Sequence, residues 1–424
     1  MCFKLLATRY VVLNGYVESK NPIDKALGLL LYARPDLFAG PGLTHVKSPL
    51  TFKVYEVSSD GFIANIQNVA REEGHEYVCS DREVLEFVLC KEGLSTYEAV
   101  RVLRRSLGVA KIGFSGVKDS EANSCQFITM VCSTGVSIRK YAVFPVGKLR
   151  IAFLRFRERP LRRGQHLGNL FKVLIRASPY NPVSLKSFIN LRRITPKLVN
   201  EALPNYFGYQ RFGTRRPTTH IVGKHLLLGD YEEAIRYILG VPMEGELGVV
   251  REARELYERG MLATAYRRFP KSFTIERKLL RYLLKGRSSK ESVMMLGANI
   301  IRMYIEAYQS YIFNLALSRA IIDFEGFTRL LRRCEIMPMP RPDVRVYDEC
   351  SKYAVDALKD EGIERSTELS RYLNRGVRQI YFKLIGEAVC SEVSNHACWL
   401  TFILPVSAYA TILLRELIRD GLRV

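Results

Sequence analysis

Residues 112–126 read IGFSGVKDSEANSCQ, a glycine-containing loop that leads into an apolar segment. The following residues, QFITMVC (126–132), have the apolar and β-branched character of a strand. Asp119 lies within the loop, with Lys118 beside it and Gln126 at the start of the strand. An aspartate in such a loop is most often a solvated turn residue, so a functional interpretation needs support from the rest of the chain.

A helix is predicted directly before this loop. Ser95 and Glu98 have the spacing of a capping box, apolar residues follow at helical intervals, and Gly108 fits the position that ends a helix. Arginines that lie off the apolar stripe would face water or phosphate. The region around the loop is therefore predicted to alternate strand, helix, loop and strand.

Basic residues outnumber acidic residues throughout the chain. Its 424 residues include 64 Lys and Arg against 43 Asp and Glu, a formal net charge of +21. A hydrophobic fraction of 48% excludes a disordered chain, and the charge indicates a polyanionic partner, either nucleic acid or an anionic membrane surface. Residues 139–176 hold eleven Lys and Arg with Glu158 as the only acid. In residues 150–153 and 171–176, apolar and basic side chains alternate as they do in half-buried strands. The basic face of these strands could contact an RNA backbone, or it could simply be solvated.

Cysteine and histidine spacing indicates neither a disulfide framework nor a metal site. The nine cysteines are scattered without a CxxC pair, so we expect buried, unpaired thiols in a reducing compartment. His220 and His225 are close in sequence but lack the i, i+4 spacing of a helical metal-binding pair. Residues 397–414 carry no charge, yet Pro405 divides them, which predicts a strand, a turn and a helix in a soluble protein.

The chain is predicted to form two domains. Residues 223–387 show mostly helical spacing, including a long helix at 300–323 whose tyrosine-rich side is expected in the core. This region contains a second basic run, 267–290, which we expect to hold RNA. Residues 1–222 and 388–424 would form a discontinuous α+β domain, into which the helical domain is inserted. These boundaries are approximate.

One further segment combines aromatic and basic side chains. Residues 204–217 read PNYFGYQRFGTRRP, an arrangement that suits stacking on an unpaired base, although an aromatic turn in the core would explain some of the rings. Walker A, GxGxxG, HExxH and GxSxG motifs are absent from the sequence, which disfavours nucleotide-hydrolysing and cofactor-dependent enzymes. The GFSG stretch matches the GxxG of KH-type RNA-binding loops only weakly.

These segments together resemble the TruD family of tRNA pseudouridine synthases, in its archaeal and eukaryotic-type branch. The stretch 112–126 is similar to the family signature, in which the catalytic aspartate follows Gly-x-Lys. Other segments match the family in order over about residues 85–419: FVLCKEGLSTYEAVRVLRRSLGV, LRRGQHLGNLFKVLIR, PNYFGYQRFG, RPTTHIVGKHLLLGDYEEAI, EAYQSYIFN and FILPVSAYATILLRE. The chain departs from the family pattern at Ser120-Glu121, at Ser124, at Pro49-Leu50-Thr51-Phe52 and at Ser407.

The resemblance implies a fold and a set of site residues. The fold would be a mixed, largely antiparallel catalytic sheet with a TruD-type helical insertion. Asp119 would be catalytic, either as a nucleophile at the sugar or as the base that removes a sugar proton. The expected substrate-binding residues are Phe207 for stacking, Asn205 for hydrogen bonding to the base or the aspartate loop, Lys118 for phosphate, Gln126 for bracing the loop, and Arg211 for holding the aspartate's charge.

The resemblance also implies the reaction and the partners. The enzyme would isomerise a uridine of tRNA, position 13 in the family, after the base flips into a basic cleft. It would need no metal and no cofactor. The implied partner is tRNA, with other structured RNAs left open; a membrane or an obligatory protein partner is not implied, and a cytoplasmic location is expected. The alternative is a non-catalytic RNA-binding or RNA-chaperone protein on the same fold.

Overall fold

The computed structural model describes residues 15–69, 74–109, 111–118, 122–363, 365 and 367–423. Asp119, Ser120 and Glu121 of the signature loop thus lie outside the described residues. The chain divides into two compact units. The first runs as far as Asp36 and continues as Pro204–Tyr381; the second comprises Leu37–Leu203 and Phe382–Val424. The domain boundaries expected at 222 and 387 stay a prediction.

The strands, in chain order, are β1 Val17–Glu18, β2 Leu31–Tyr32, β3 Leu43–Val46, β4 Phe52–Ser58, β5 Glu76–Val78, β6 Val84–Lys91, β7 Lys111–Phe114, β8 Asn123–Val131, β9 Ser137–Arg139, β10 Tyr141–Phe144, β11 Leu149–Arg157, β12 His166–Ala177, β13 Leu203–Pro204, β14 Ile336–Pro338, β15 Val377–Gln379, β16 Tyr381–Phe382, β17 Val389–Ser394, β18 Ala397–Pro405 and β19 Leu422–Arg423.

The α-helices are α1 Pro22–Ala26, α2 Thr96–Leu107, α3 Pro182–Ile194, α4 Thr219–Leu228, α5 Tyr231–Leu239, α6 Gly248–Glu258, α7 Leu262–Arg268, α8 Thr274–Leu284, α9 Ser289–Met294, α10 Ala298–Asp323, α11 Phe327–Leu330, α12 Glu349–Asp360 and α13 Ala410–Ile418.

The second unit is built on one large sheet. Its main path runs β10-β11-β6-β8-β4-β12-β18-β17, with β7 on β8, β3 on β12 and β19 on β3. Neighbouring strands are antiparallel except for β4 with β8 and β3 with β19. The α+β prediction with a mostly antiparallel sheet is confirmed. The basic strands predicted at 150–153 and 171–176 lie within β11 and β12.

Apolar side chains cover both faces of the central strands. On one face Phe87 and Ile128 pack with Leu103, which belongs to the apolar stripe of α2. On the other face Val88 and Phe127 form a separate cluster. The predicted capping box of α2 is present, and Gly108 ends the helix at a φ of 65°, as predicted. This packing holds the strand–helix–loop segment before Lys118 against the sheet.

The first unit is mostly helical and centres on α10. The long helix predicted at 300–323 is confirmed, and Tyr304 and Tyr308 on its tyrosine-rich side are buried. Helix α4 packs closely on α10 at Gly223, where a side-chain Cβ would overlap the main-chain oxygen of Tyr304. The charge-free segment 397–414 contains β18 and the start of α13, as its proline predicted. None of the helices in the described parts of the chain reaches the length and apolarity that spanning a membrane requires.

The expectation of unpaired cysteines is wrong. Among the described residues, the cysteines form four disulfides: Cys79–Cys132, Cys90–Cys125, Cys334–Cys350 and Cys390–Cys398. The ninth cysteine, Cys2, lies outside the described residues. Cys90 and Cys125, for example, are directly opposite each other in the register of β6 and β8, although they are 35 residues apart in sequence. Each disulfide joins cysteines that the folding of the chain brings together. The absence of a CxxC motif therefore did not exclude these pairs.

Candidate active site

The described part of the signature loop ends at Lys118, the residue before Asp119. Both the N–H and the carbonyl of Lys118 are hydrogen-bonded. The Lys118 N–H donates to the Thr96 hydroxyl oxygen at 2.8 Å. The Thr96 N–H donates to the Lys118 carbonyl at 3.2 Å. Gln126 is fully buried and donates from Nε2 to the Gly116 carbonyl at 3.1 Å, and it accepts the Thr96 hydroxyl at 2.7 Å. Gln126 thus contacts the backbone of the loop, and the bracing role expected of it stays a prediction.

A buried lysine that the sequence analysis did not select lies beneath the same backbone. Lys91, at the end of β6, is only 1% exposed. Its ammonium donates to the Leu94 carbonyl at 2.7 Å and to the Lys118 carbonyl at 3.1 Å. A lysine at the end of a strand whose other residues are apolar except for Glu86 is the signal that could have identified it, because burying such a cation is costly without strong acceptors.

The Lys118 side chain points into a buried polar cluster. Its Nζ lies 3.1 Å from Glu56 Oε2, and the two side chains are 7% and 0% exposed. The amide oxygen of Asn169 accepts from the same ammonium at 2.5 Å, and the Ser115 hydroxyl donates to the other oxygen of Glu56. Burial holds the pKa of the neighbouring His166 below its usual value. The described geometry therefore shows Lys118 paired with Glu56; the phosphate contact expected of it stays a prediction.

In the first unit, the Phe207 backbone is clamped by one asparagine. Asn314, on α10, accepts the Phe207 N–H at 2.8 Å and donates to the Phe207 carbonyl at 3.1 Å. The same amide group donates to the Leu27 carbonyl at 3.0 Å. Asn314 ends the EAYQSYIFN segment, so two of the matched segments meet here. The Phe207 ring, which remains partly exposed, lies edge-on to Phe313 with centroids 5.5 Å apart.

An arginine links Phe207 with Asn205. The guanidinium of Arg378 lies 4.0 Å from the centroid of the Phe207 ring. It donates from Nε to the Asn205 carbonyl at 3.0 Å and from Nη2 to the Asn205 side-chain oxygen at 2.7 Å. Asn205 also donates from its amide to the Gln379 carbonyl at 3.0 Å. Arg378, on β15, was missed because nothing in its local sequence indicates a partner 173 residues away.

Arg211 forms contacts along α10. It donates from Nε to the Ser310 hydroxyl at 3.2 Å, and its Nη2 lies 3.1 Å from the Glu306 carboxylate. Both charged side chains are about a quarter exposed, at 25% and 27%. The structure thus groups Asn205, Phe207 and Arg211 in the first unit, and Lys118 and Gln126 in the second. Their roles toward Asp119 stay predictions.

The basic strands of the second unit border an open cleft of about 450 Å³. Its lining includes Arg155, Arg157, Arg159 and Arg162. Arg155 and Arg157 form ion pairs with the buried Glu86, with nitrogen–oxygen distances of 2.6 and 3.2 Å. Glu86 thus neutralises part of the charge on the expected RNA-binding face and orients these two arginines. Arg159 and Arg162 are exposed along the same cleft.

Comparisons with known proteins show which family and fold this chain resembles. A model of the family described as tRNA pseudouridine synthase D (TruD) matches residues 42–333. A relative from Sulfurisphaera tokodaii, described as a probable tRNA pseudouridine synthase D, is 31% identical over 380 residues, which cover 89% of this chain and 96% of the relative. One from Saccharolobus solfataricus with the same description is 30% identical and covers 80% of this chain and 84% of its own. A solved structure designated TruD, from Methanosarcina mazei, aligns with a TM-score of 0.62 at 22% identity over 94% of this chain and 98% of that chain, a likeness in fold.

Proposed function

We propose that this chain, which belongs to the TruD family of tRNA pseudouridine synthases, converts a uridine of tRNA to pseudouridine with Asp119 as the catalytic residue. The family is one of isomerases, and the family target, position 13, is the proposed substrate position. The observation that supports this most is the hydrogen bonding of the loop. Thr96 and Lys91 bind the backbone of Lys118, directly before Asp119, and Gln126 binds the carbonyl of Gly116. Catalysis by a single side chain requires that its backbone be held in this way.

The reaction rearranges bonds within one nucleoside. The bond between C1′ of the ribose and N1 of uracil breaks, the base turns, and C1′ bonds to C5 instead. The hydrogen displaced from C5 leaves as a proton, and N1 gains one, so no atom or electron is lost overall. Asp119 acts either as the nucleophile at C1′ or as the base that takes a ribose proton, and in both cases its carboxylate must be ionised.

The proposed role of Phe207 is to stack against the flipped uracil. Unstacking the base from the RNA costs a few kcal/mol, and an aromatic contact returns about 1–3 kcal/mol. Arg378 supports this role because its guanidinium covers Phe207 at 4.0 Å while it orients the Asn205 side-chain amide. Arg378 is thus proposed as a positioning residue for both side chains.

The basic cleft lined by Arg159 and Arg162 is proposed to hold the phosphate backbone. Phosphate contacts of this kind position an RNA without reading its sequence. The family description makes tRNA the proposed partner, and recognition of one uridine would depend on the shape of the RNA as well as on the flipped base.

The test is Asp119→Asn, assayed with uridine-labelled tRNA for formation of pseudouridine. We expect turnover to be abolished while tRNA binding is retained, because an amide can neither attack the sugar nor accept its proton. Asp81→Asn, at an exposed aspartate of the same unit, is the matched control and should retain full activity. Substantial turnover by Asp119→Asn would refute the assignment. Retained RNA binding without any pseudouridine in the wild-type protein would favour the non-catalytic alternative.

A further inference from the structure

The helical unit contains a cavity that the proposed reaction does not use. It has a volume of about 270 Å³ and is enclosed by parts of α4, α5, α6, α8 and α10. Apolar walls come from Ile238, Val250 and Phe273, and the exposed Arg215 lies among the lining residues. The volume is below the roughly 300–1,000 Å³ of pockets for drug-sized ligands, so it suits a single ring system.

Most of the charge in this cavity is already paired. Glu246 lies 2.7 Å from Arg254 Nε and 3.6 Å from Arg216 Nε. Arg254 also donates to the Ile238 carbonyl at 2.5 Å, and Arg216 donates to the carbonyls of the segment after α5. Burial lowers the pKa of Arg216 to about 10. These groups form a structural network and do not require a ligand.

Two polar side chains of the lining have fewer partners than the members of this network. Tyr304 is 9% exposed, and no residue in the described parts of the chain hydrogen-bonds its hydroxyl. Glu276, at the start of α8, has Arg254 as its only ion-pair partner in those same parts, at 3.8 Å. Burial raises the pKa values of both side chains. Both side chains line the cavity, where a ligand or water can reach them.

We infer that this cavity binds a guanine ring. The two oxygens of the Glu276 carboxylate match the adjacent N1–H and N2–H donors of guanine, and the Tyr304 hydroxyl supplies a donor for O6. Phe273 and the aliphatic walls provide the apolar faces that a flat ring requires. Adenine, cytosine and uracil lack the paired donors that the carboxylate would accept.

The guanine could belong to an unpaired nucleotide of RNA or to a free nucleotide. The position of the cavity is compatible with either source of the base, because Phe273 and Glu276 belong to the basic run 267–290. In that run Lys271 and Arg281 are exposed, so phosphates attached to the base would meet positive charge. The two sources share the same base chemistry and are separated by experiment.

The first measurement is calorimetric titration of the full chain with GMP, AMP, CMP and UMP. We expect binding of GMP alone, weakened about tenfold or more by Glu276→Gln and several-fold by Tyr304→Phe, which removes only the hydroxyl. Glu232→Gln, at an exposed glutamate of the same unit, is the matched control and should bind like the wild type. Thermal melting of each variant verifies that it is folded.

The second measurement is tRNA binding by filter retention, with and without excess GMP. Competition by GMP, or a loss of tRNA affinity in Glu276→Gln but not in Glu232→Gln, would identify an RNA guanine as the occupant. GMP binding without competition would identify a free nucleotide. Equal binding of AMP and GMP would overturn the inference, as would no nucleotide binding together with unchanged tRNA affinity. Neither measurement uses isomerisation, so the result is independent of the Asp119→Asn assay.

Discussion

Replacing Lys91 by methionine tests whether catalysis requires the hydrogen bonds from this buried ammonium to the backbone of the signature loop. The substitution keeps the length and the apolar stem of the side chain but removes the ammonium that donates to the carbonyls of Leu94 and Lys118. The Lys118 carbonyl would keep the Thr96 N–H as a donor, whereas the Leu94 carbonyl would lose the ammonium. A buried acceptor left without a donor costs about 1–3 kcal/mol unless the loop moves to find water. We expect the loop to move, which displaces Asp119.

A displacement of about 1 Å at a reacting group can lower the rate about 100-fold, and this is the expected loss of kcat for Lys91→Met. KM for tRNA should change little, because Lys91 is 1% exposed and cannot reach the RNA. The lost ammonium is bonded to the carbonyl of Lys118, the residue before Asp119, so its removal should also raise the pKa of the Asp119 carboxyl. The acidic limb of the pH–rate profile should therefore shift to higher pH, an effect that a purely structural role would not produce.

The assay is single-turnover pseudouridine formation across pH, with thermal melting to measure stability. Lys186→Met removes an exposed lysine from α3 of the same unit and serves as the control. Thr96→Val is a second variant. It removes the hydroxyl that accepts the Lys118 N–H and donates to Gln126, and it should lower kcat about tenfold. An unchanged kcat together with an unmoved acidic limb in Lys91→Met would refute the reasoning.

Three further outcomes are expected. Phe207→Ala should lower kcat/KM by about 5- to 150-fold, the equivalent of about 1–3 kcal/mol of stacking, without unfolding the protein. Tyr347→Ala, at an exposed ring of the same unit, is the control, and equal activity of both variants would exclude stacking. The affinity for tRNA should fall steeply with salt because several phosphates are neutralised, and a flat dependence in filter binding would contradict the basic cleft as the RNA site. Burial lowers the pKa of His220 to about 4, so the unfolded chain binds its proton more readily and the free energy of unfolding should fall by up to about 3 kcal/mol as the pH falls from 6.5 to 4. Chemical denaturation at each pH should show a smaller loss of unfolding free energy in His220→Phe than in the wild type. An equal loss in both proteins would mean that a group other than His220 causes it.

Local patterns predicted the secondary structure around the signature loop. The capping box of α2 and its terminal Gly108 depend on residues within one helix, and the strand at 126–132 depends on a short apolar run. The proline at 405 correctly divided an uncharged segment into β18 and α13. In each case the physical cause acts over a few residues, so it can be identified without the fold.

The supports of the candidate site could not be predicted in this way. Arg378 reaches Asn205 across 173 residues, and Asn314 reaches Phe207 across 107. Lys118 was expected to bind phosphate, yet its ammonium lies against Glu56, which belongs to a strand 62 residues earlier in the chain. Such partners become neighbours only when strands pair and helices pack.

The sequence alone therefore determined the class of fold, the basic character of the surface and, through its ordered motifs, the family. Tertiary structure decided which polar groups are buried together: the lysine beneath the loop, the arginine over the aromatic ring, the disulfides and the cavity at Glu276. The reason is physical. Charge and periodicity are properties of the chain, whereas the cost of burying a polar group and the partner that offsets it exist only after distant segments have come together.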